Sequence, residues 1–116
     1  MTMPEFKQLV DEIKKDVHEV GPAEVQKMKS EGAAVIDVRE KEDSDKGMVP
    51  GAVAIPRGVL ELNIDQVTTD KNKPIVLYCG GGSRSALAAF MLQKMGFRKV
   101  FSLKGGYRGW KEFEGK

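Results

Sequence analysis

Two short apolar runs constrain the fold of this chain more than any other feature. One is Ala33–Val38, in which Asp37 is the single polar residue, and the other is Pro74–Tyr78. Apolar runs of this length without polar alternation are typical of parallel strands that helices cover on both faces. The segments around them show helical spacing or turn residues, so strands and helices alternate along the chain. The pattern predicts an α/β fold, a three-layer α/β/α sandwich around a mostly parallel, five-stranded sheet.

The remaining segments supply the other strands and the helices of this sandwich. Strands are predicted over residues 17–20, 52–55 and 99–103, and helices over 22–31, 59–64 and 86–95. A final helical turn is predicted around Trp110 and Phe113, and the charged residues 39–47 are predicted to form a loop. The helix over 86–95 carries its large apolar side chains on one face, namely Leu87, Phe90, Met91 and Met95.

The N-terminal segment is predicted to form an amphipathic helix. Its apolar residues recur at helical spacing and its charged residues fall mainly on other faces; the apolar set is Phe6, Leu9, Val10, Ile13 and Val17. We therefore divide the chain into residues 1–16, a helix that packs on the domain, and residues 17–116, the domain itself. A helix that docks a partner is the alternative, although its mixed charge argues against an anionic membrane surface.

Composition excludes several classes of function. The 116 residues carry 19 basic and 17 acidic side chains, a formal net charge of +2, which is too balanced to predict nucleic-acid binding. One Cys and one His make a metal site built from those ligands implausible, and one Cys excludes an internal disulfide. No apolar run approaches the roughly 20 residues of a membrane span. We expect a cytoplasmic protein with no metal, no cofactor and no membrane partner.

The single cysteine, Cys79, follows the Pro74–Tyr78 run directly. After it come Gly80, Gly81 and Gly82 and then a predicted helix. In a parallel sheet, binding sites lie outside the carboxyl ends of the strands, which is where this thiol is placed. Free backbone N–H groups and the positive end of a helix dipole favour the thiolate, the reactive form of cysteine. The setting predicts a nucleophilic cysteine.

The spacing from Cys79 to Arg84 narrows the chemistry. Gly80, Gly81, Gly82 and Ser83 separate the two residues, and a glycine-rich backbone can curl so that its N–H groups point inward. Ser83 or Ser85 can cap the helix or add a hydroxyl donor. Phosphatases with a cysteine nucleophile use a Cys-x5-Arg loop, which is one residue longer and is sized for phosphate. The shorter loop favours binding of a single sulfur atom.

Four separate motifs occur in an order that resembles the single-domain members of the rhodanese homology family of sulfurtransferases. They are Asp37-Val38-Arg39-Glu40, the segment from Gly47 to Pro56, the loop from Cys79 to Ser85, and Gly105-Gly106-Tyr107-Arg108-Gly109-Trp110. The resemblance covers roughly residues 17–113. It implies that the Cys79 thiolate takes sulfane sulfur from thiosulfate or a low-molecular persulfide. An external thiol, for example a protein cysteine, or cyanide then accepts the sulfur.

The resemblance also assigns roles to individual residues. Cys79 and Arg84 are the catalytic candidates, and the loop residues bind the transferred sulfur through their amides. Asp37 and Arg39 end a strand at the same sheet edge as Cys79; they either brace the active loop or only hold the neighbouring charged segment. His18 is expected to be structural or at the surface. Two other functions stay open, a non-catalytic binding module and a peroxide sensor without a resolving cysteine.

The three glycines after Cys79 depart from family members that favour thiosulfate, which often place a basic side chain in this loop. Without that side chain the pocket mouth is expected to be open and thiosulfate to be a poorer donor than a bulkier persulfide. The alternative is that Arg57, Lys104 or Arg108 supplies the positive charge from a neighbouring loop.

Overall fold

A parallel sheet lies at the centre of the computed structural model, which describes residues 3–115 of the chain. Within those residues the sheet has five strands: β1 (His18–Val20), β2 (Ala34–Asp37), β3 (Val53–Ala54), β4 (Ile75–Tyr78) and β5 (Val100–Leu103). Their spatial order is β1-β5-β4-β2-β3, and each neighbouring pair is parallel. The predicted α/β class and the five-stranded sheet are confirmed.

Helices cover both faces of the sheet. Over residues 3–115 they are α1 (Pro4–Lys14), α2 (Pro22–Ser30), α3 (Lys41–Asp45), α4 (Leu60–Asn63), α5 (Ser83–Lys94) and α6 (Gly106–Glu114), with 3₁₀ turns at Arg57–Val59 and Ile64–Gln66. Helices α1, α4 and α5 pack on one face, and α2 and α6 pack on the other. The sandwich has the predicted three layers.

Side chains of the central strands alternate between two hydrophobic cores. Ile75 and Leu77 of β4 point into the core under α5, whereas Val76 and Tyr78 point into the core under α6. All four are fully buried. Burying a side chain of this size contributes roughly 1.5–3 kcal/mol, which explains why a continuous apolar run rather than an alternating one marks this strand.

Helix α5 packs on the sheet through small side chains, and this corrects the sequence analysis. Its fully buried apolar residues are Ala86, Ala88, Ala89 and Leu92. Leu87 and Phe90 are only partly buried, and Met91 and Met95 are 38% and 40% exposed. Alanine lets the helix axis approach the sheet closely, so the larger apolar residues lie towards the outside of the helix.

Three boundaries also differ from the prediction. Residues Lys41–Asp45, expected in a loop, form the short helix α3, which an exposed Lys41–Asp45 ion pair of 2.7 Å supports. Helix α5 begins at Ser83 rather than Ala86, and the predicted final turn is the nine-residue helix α6. The earlier start of α5 places Arg84 in its first turn.

Helix α1 is followed directly by the turn that leads to His18 at the start of β1. Helix α1 packs beside α5 with Val10 buried, while Phe6 and Leu9 remain 36% and 51% exposed. His18 is exposed on β1, and its ring lies 4.9 Å from that of Phe101. None of the helices over residues 3–115 has the length and apolarity needed to cross a bilayer.

Candidate active site

The loop after β4 connects the sheet to the first turn of α5. Tyr78 of β4 pairs in register with Asp37 of β2, so the two strands end at the same edge of the sheet. Cys79 follows there, and Gly82 turns the chain into α5 with a φ of 109°. A side chain at that left-handed position would be strained, so glycine is the residue that permits this sharp entry into the helix.

The Sγ atom of Cys79 lies among hydrogen-bond donors of the loop. The Gly82 N–H donates to it over 3.0 Å and the Ser85 N–H over 3.4 Å. The Ser85 hydroxyl lies 3.5 Å from Sγ and 2.8 Å from the hydroxyl of Ser102 in β5. A relay in which Ser102 donates to Ser85 and Ser85 donates to sulfur satisfies both buried hydroxyls.

These donors lower the pKa of the Cys79 thiol below its ordinary value. Burial alone raises that pKa, because Cys79 is only 1% exposed. The Ser85 hydroxyl and the N–H groups of Ser85, Gly82 and Gly81 outweigh burial, since each stabilises the thiolate. The site therefore stabilises the ionised form of the sulfur through hydrogen bonds from the protein, although the sulfur is shielded from water.

Replacing Ser85 by Ala is expected to raise the pKa of the Cys79 thiol, because the largest of the stabilising hydrogen bonds is lost while burial is kept. The measurement is the rate of Cys79 alkylation by iodoacetamide as a function of pH, whose midpoint reports ionisation independently of access. Ser83→Ala is the matched control, since Ser83 lies in the same turn and only Ser85 of the two serines is bonded to sulfur. An unchanged midpoint in Ser85→Ala would contradict this assignment.

The start of α6 holds the loop from the opposite side. The Tyr107 N–H donates to the Cys79 carbonyl oxygen over 2.8 Å, and the Arg108 N–H donates to the Gly80 carbonyl oxygen over 3.2 Å. Gly106 has a φ of 59°, and a Cβ there would lie 2.6 Å from backbone atoms of Cys79 and Gly80. Gly106 is therefore required for this close approach, a role that the Gly105-Gly106 motif did not reveal in the sequence.

Two guanidinium groups flank the glycines of the loop. Nη2 of Arg84 lies 3.7 Å from the position of a Cβ added at Gly80, and a Cβ added at Gly81 would collide with Nη2 of Arg108. Guanidinium groups thus lie beside two of the three bare glycines, and Arg108 is one of the residues that the sequence offered as a source of positive charge. The Arg108 side chain occupies the space that a residue with a side chain at position 81 would fill.

Asp37 and Arg39 form a buried ion pair one strand away from Cys79. The guanidinium of Arg39 donates to both carboxylate oxygens of Asp37, at 2.8–3.2 Å, and Nη2 also donates to the Gly47 carbonyl oxygen. Asp37 accepts further hydrogen bonds from the hydroxyls of Ser44 and Tyr78. The pair thus contacts the charged segment at Ser44 and Gly47. It also binds the hydroxyl of Tyr78, which directly precedes Cys79 in the chain.

The same pair reaches α6 through an aromatic ring. The Arg39 guanidinium lies 4.3 Å from the centroid of the Tyr107 ring, whose backbone N–H binds the Cys79 carbonyl oxygen. Contacts therefore run from Asp37 through Arg39 and Tyr107 to the backbone carbonyl of Cys79. Whether this pair braces the active loop or only holds the neighbouring charged segment stays a prediction.

Ser102, Tyr78, Gly106 and Tyr107 belong to the site and were not predicted as site residues. A polar residue within the apolar β5 was the one available signal for Ser102, because a buried hydroxyl needs a partner. For metals, no cluster of three or more His, Cys, Asp or Glu side chains among residues 3–115 is arranged to bind an ion.

Comparison with known proteins places this geometry in a family. The sequence profile described as the Rhodanese-like domain matches residues 21–113. The putative sulfur carrier protein YrkF of Bacillus subtilis (strain 168) is 38% identical over 80 residues, which are 69% of this chain and 42% of YrkF. The thiosulfate sulfurtransferase GlpE of Ectopseudomonas mendocina (strain ymp) is 31% identical over 93 residues, 79% of this chain and 83% of that protein. The chain spans about half the length of the first curated relatives it matches.

A solved structure extends the likeness to α1. It is a protein of unknown function from Rhodopseudomonas palustris CGA009, described as a possible tyrosine phosphatase. The two share 29% identity and superpose with a TM-score of 0.82 over 98% of this chain and 95% of that one. Because the superposition covers nearly the whole chain, it includes α1, which lies outside the segment matched by the family profile.

Proposed function

The chain belongs to the rhodanese-like domain family, and from this premise we propose that it is a sulfurtransferase whose Cys79 carries sulfane sulfur as a persulfide. The observation that supports the proposal most directly is the set of donors around Sγ, which lowers the pKa of the buried thiol. A thiolate is the form that attacks sulfur, and the same donors can stabilise a persulfide anion.

The first half-reaction loads sulfur onto Cys79. The thiolate attacks the outer sulfur of a donor such as thiosulfate or a low-molecular persulfide, which forms the new S–S bond of the persulfide. The S–S bond of the donor breaks, and the leaving group departs with the electron pair, as sulfite or as a thiolate. Electrons and atoms balance without an oxidant, and the loop amides face Sγ, which carries the charge before the attack.

The second half-reaction discharges the persulfide. An acceptor thiolate, or cyanide, attacks the outer sulfur and leaves with it, and the Cys79 thiolate is restored. Because the chain has one cysteine, the acceptor thiol is outside these 116 residues, and a protein cysteine is one such acceptor. No general base is needed if Cys79 reacts as the thiolate that these donors favour, which fits the position of the single His, exposed on β1.

Access to the sulfur sets one further requirement. Cys79 is 1% exposed, so we expect the loop to open locally when the donor enters and to close around the bound sulfur. Gly80, Gly81 and Gly82 provide the backbone freedom for that motion.

The test of the proposal is the mass of the protein after incubation with thiosulfate or glutathione persulfide. We expect a gain of one sulfur atom, which cyanide or a thiol removes, and the site is unambiguous because Cys79 is the only cysteine. No gain with any donor would favour a non-catalytic binding module instead.

Steady-state kinetics provide an independent measurement. Since sulfur resides on the enzyme between the two half-reactions, double-reciprocal plots at several acceptor concentrations are expected to be parallel. Intersecting lines would mean that donor and acceptor are bound together and would contradict the persulfide intermediate.

A phosphatase is the second candidate, because the structurally similar R. palustris protein is described as a possible tyrosine phosphatase. Only four residues separate Cys79 from Arg84, and this loop already brings the N–H groups of Gly82 and Ser85 to within 3.4 Å of a single sulfur atom. We therefore expect no hydrolysis of an aryl phosphate, whereas turnover that depends on Cys79 would favour the phosphatase.

A further inference from the structure

The side chain of Arg108 lies against the active loop although it belongs to a different element. Its guanidinium is packed on Gly81, where any Cβ would collide with Nη2. Gly81 contributes one of the N–H groups that lower the pKa of the Cys79 thiol. The cation is therefore beside a residue whose N–H helps to bind the reacting sulfur, on the exposed side of the loop, because both Arg108 and Gly81 are exposed.

The backbone of Arg108 fixes this placement. Its N–H donates to the Gly80 carbonyl oxygen, and Gly106 allows the start of α6 to approach the loop at backbone distance. The Cα atom of Arg108 is thus held relative to the loop by contacts that do not involve its side chain. The position of the guanidinium is therefore set by helix α6 and not by a flexible loop.

The charge of Arg108 is not used elsewhere in the described part of the chain. Among residues 3–115 its guanidinium has no carboxylate within ion-pair distance, and the same holds for Arg84 on the other side of the loop. Arg57, by contrast, is paired with Glu61 over 2.8 Å. Within residues 3–115, then, two guanidiniums without an ion-pair partner flank an anion-stabilising loop, and their charge is available to a ligand.

We infer that Arg108 is a specificity-determining residue that binds the oxyanion group of an anionic sulfur donor and so replaces, from α6, the basic side chain that the loop lacks. This inference rests on the proposed function and names its donor class, compounds whose sulfane sulfur is attached to an oxyanion such as a sulfonate. The planar fork of a guanidinium matches such a group with paired N–H donors. Charge grows on that group as the S–S bond breaks, so the contact strengthens during transfer.

This inference reverses the donor preference expected from the sequence. The bare glycines suggested a pocket without a cation and thiosulfate as the poorer donor. With Arg108 on Gly81 and Arg84 beside Gly80, the loop is flanked by two positive charges, and small anionic donors are expected to be used well.

The test compares alkylation of Cys79 by two reagents that differ in charge, iodoacetate and iodoacetamide. Their rate ratio cancels both the ionisation of the thiol and the general accessibility of the loop. In Arg108→Gln we expect the ratio of the anionic to the neutral reagent to fall about threefold, a size typical of an exposed charge pair, and less at high salt. Arg108→Lys is expected to restore much of the ratio, because it keeps the charge.

The matched control is Lys111→Gln, which removes the same charge one turn further along α6, where Lys111 is paired with Glu114. It is expected to leave the ratio unchanged. Equal slowing of both reagents in Arg108→Gln, or an equal loss of the ratio in Lys111→Gln, would overturn the inference. If the glutamine variant folds poorly, Arg108→Met, which removes the charge and keeps an aliphatic stem of similar length, replaces it and is expected to give the same fall in the ratio.

A parallel measurement separates this inference from the proposed function. We expect kcat/KM for thiosulfate to fall about tenfold in Arg108→Gln, as for loss of a charge-assisted hydrogen bond, with a smaller effect for a donor without an oxyanion beside its sulfur. If the protein never gains sulfur but the alkylation ratio still depends on Arg108, the sulfurtransferase proposal fails and anion recognition stands. If the protein gains sulfur, but Arg108→Gln changes neither the alkylation rate ratio nor kcat/KM for thiosulfate, only the inference on Arg108 fails.

Discussion

The Cys79→Ser protein is expected to lose sulfur transfer by about 10³-fold or more while it keeps its fold. Serine is nearly isosteric with cysteine, and the N–H groups of Gly82 and Ser85 that bind Sγ can bind a hydroxyl oxygen instead. The hydroxyl stays protonated at neutral pH, however, and among residues 3–115 the hydrogen-bond partners at this position are Gly82 and Ser85, neither of which is a base. It therefore can neither attack a donor sulfur nor hold one between the half-reactions.

Three measurements on Cys79→Ser check this prediction together. The steady-state rate with thiosulfate and cyanide reports the loss, intact mass reports the absence of a sulfur gain, and urea unfolding reports that the fold remains. Ser83→Ala is the control, since it changes a hydroxyl in the same loop region away from the sulfur. A Cys79→Ser protein that still transfers sulfur at a substantial fraction of the normal rate would exclude the persulfide intermediate and, with it, the proposed function.

The positions of Cys79 and Arg84 in the fold followed from local sequence. A short apolar strand, three glycines and the start of a helix predict Cys79 at the carboxyl edge of the sheet. In the structure Cys79 lies there, and Arg84 lies in the first turn of the helix that follows the loop. The order of strands and helices was predictable for the same reason, because continuous apolarity distinguishes strands that are buried on both faces.

Features that depend on contacts across the sheet were not predictable in the same way. Arg108 is 29 positions from Cys79, and only the approach of α6 at Gly106 brings its guanidinium onto Gly81. The hydroxyl of Ser102 reaches Ser85 only because β5 lies beside β4. For helix α5 the predicted buried face was wrong. The sequence analysis placed the large apolar residues against the sheet, but close packing of the helix on the sheet requires alanine there.

A large loss of stability is expected when Asp37 is replaced by Ala. Its carboxylate is fully buried and accepts hydrogen bonds from Arg39, Ser44 and Tyr78, so its removal leaves a buried guanidinium and two hydroxyls without their partner. Breaking one side of a buried ion pair typically costs about 3–5 kcal/mol. Urea unfolding at neutral pH measures this loss. Asp45→Ala, which breaks the exposed pair with Lys41, is the control and should cost less than about 1 kcal/mol.

The pH dependence of stability tests whether the charge of Asp37 is the cause. Burial raises the pKa of this carboxyl, but the side chain and N–H of Arg39 and the hydroxyl of Tyr78 outweigh burial, so its pKa lies below the ordinary value. A group whose pKa is lower in the folded state stabilises the fold above its unfolded pKa of about 3.9 and loses that contribution as pH falls through the folded pKa. The difference in unfolding free energy between the original protein and Asp37→Ala should therefore shrink below about pH 4.

The double variant Asp37→Ala/Arg39→Met decides between loss of a charge partner and loss of packing. Removing the guanidinium as well eliminates the unpaired buried charge, so the double variant should be more stable than Asp37→Ala alone. If instead the two losses add, the carboxylate acts mainly by filling space and by binding Ser44 and Tyr78. In that outcome the link from Asp37 through Arg39 and Tyr107 to the Cys79 carbonyl would contribute little to holding the loop.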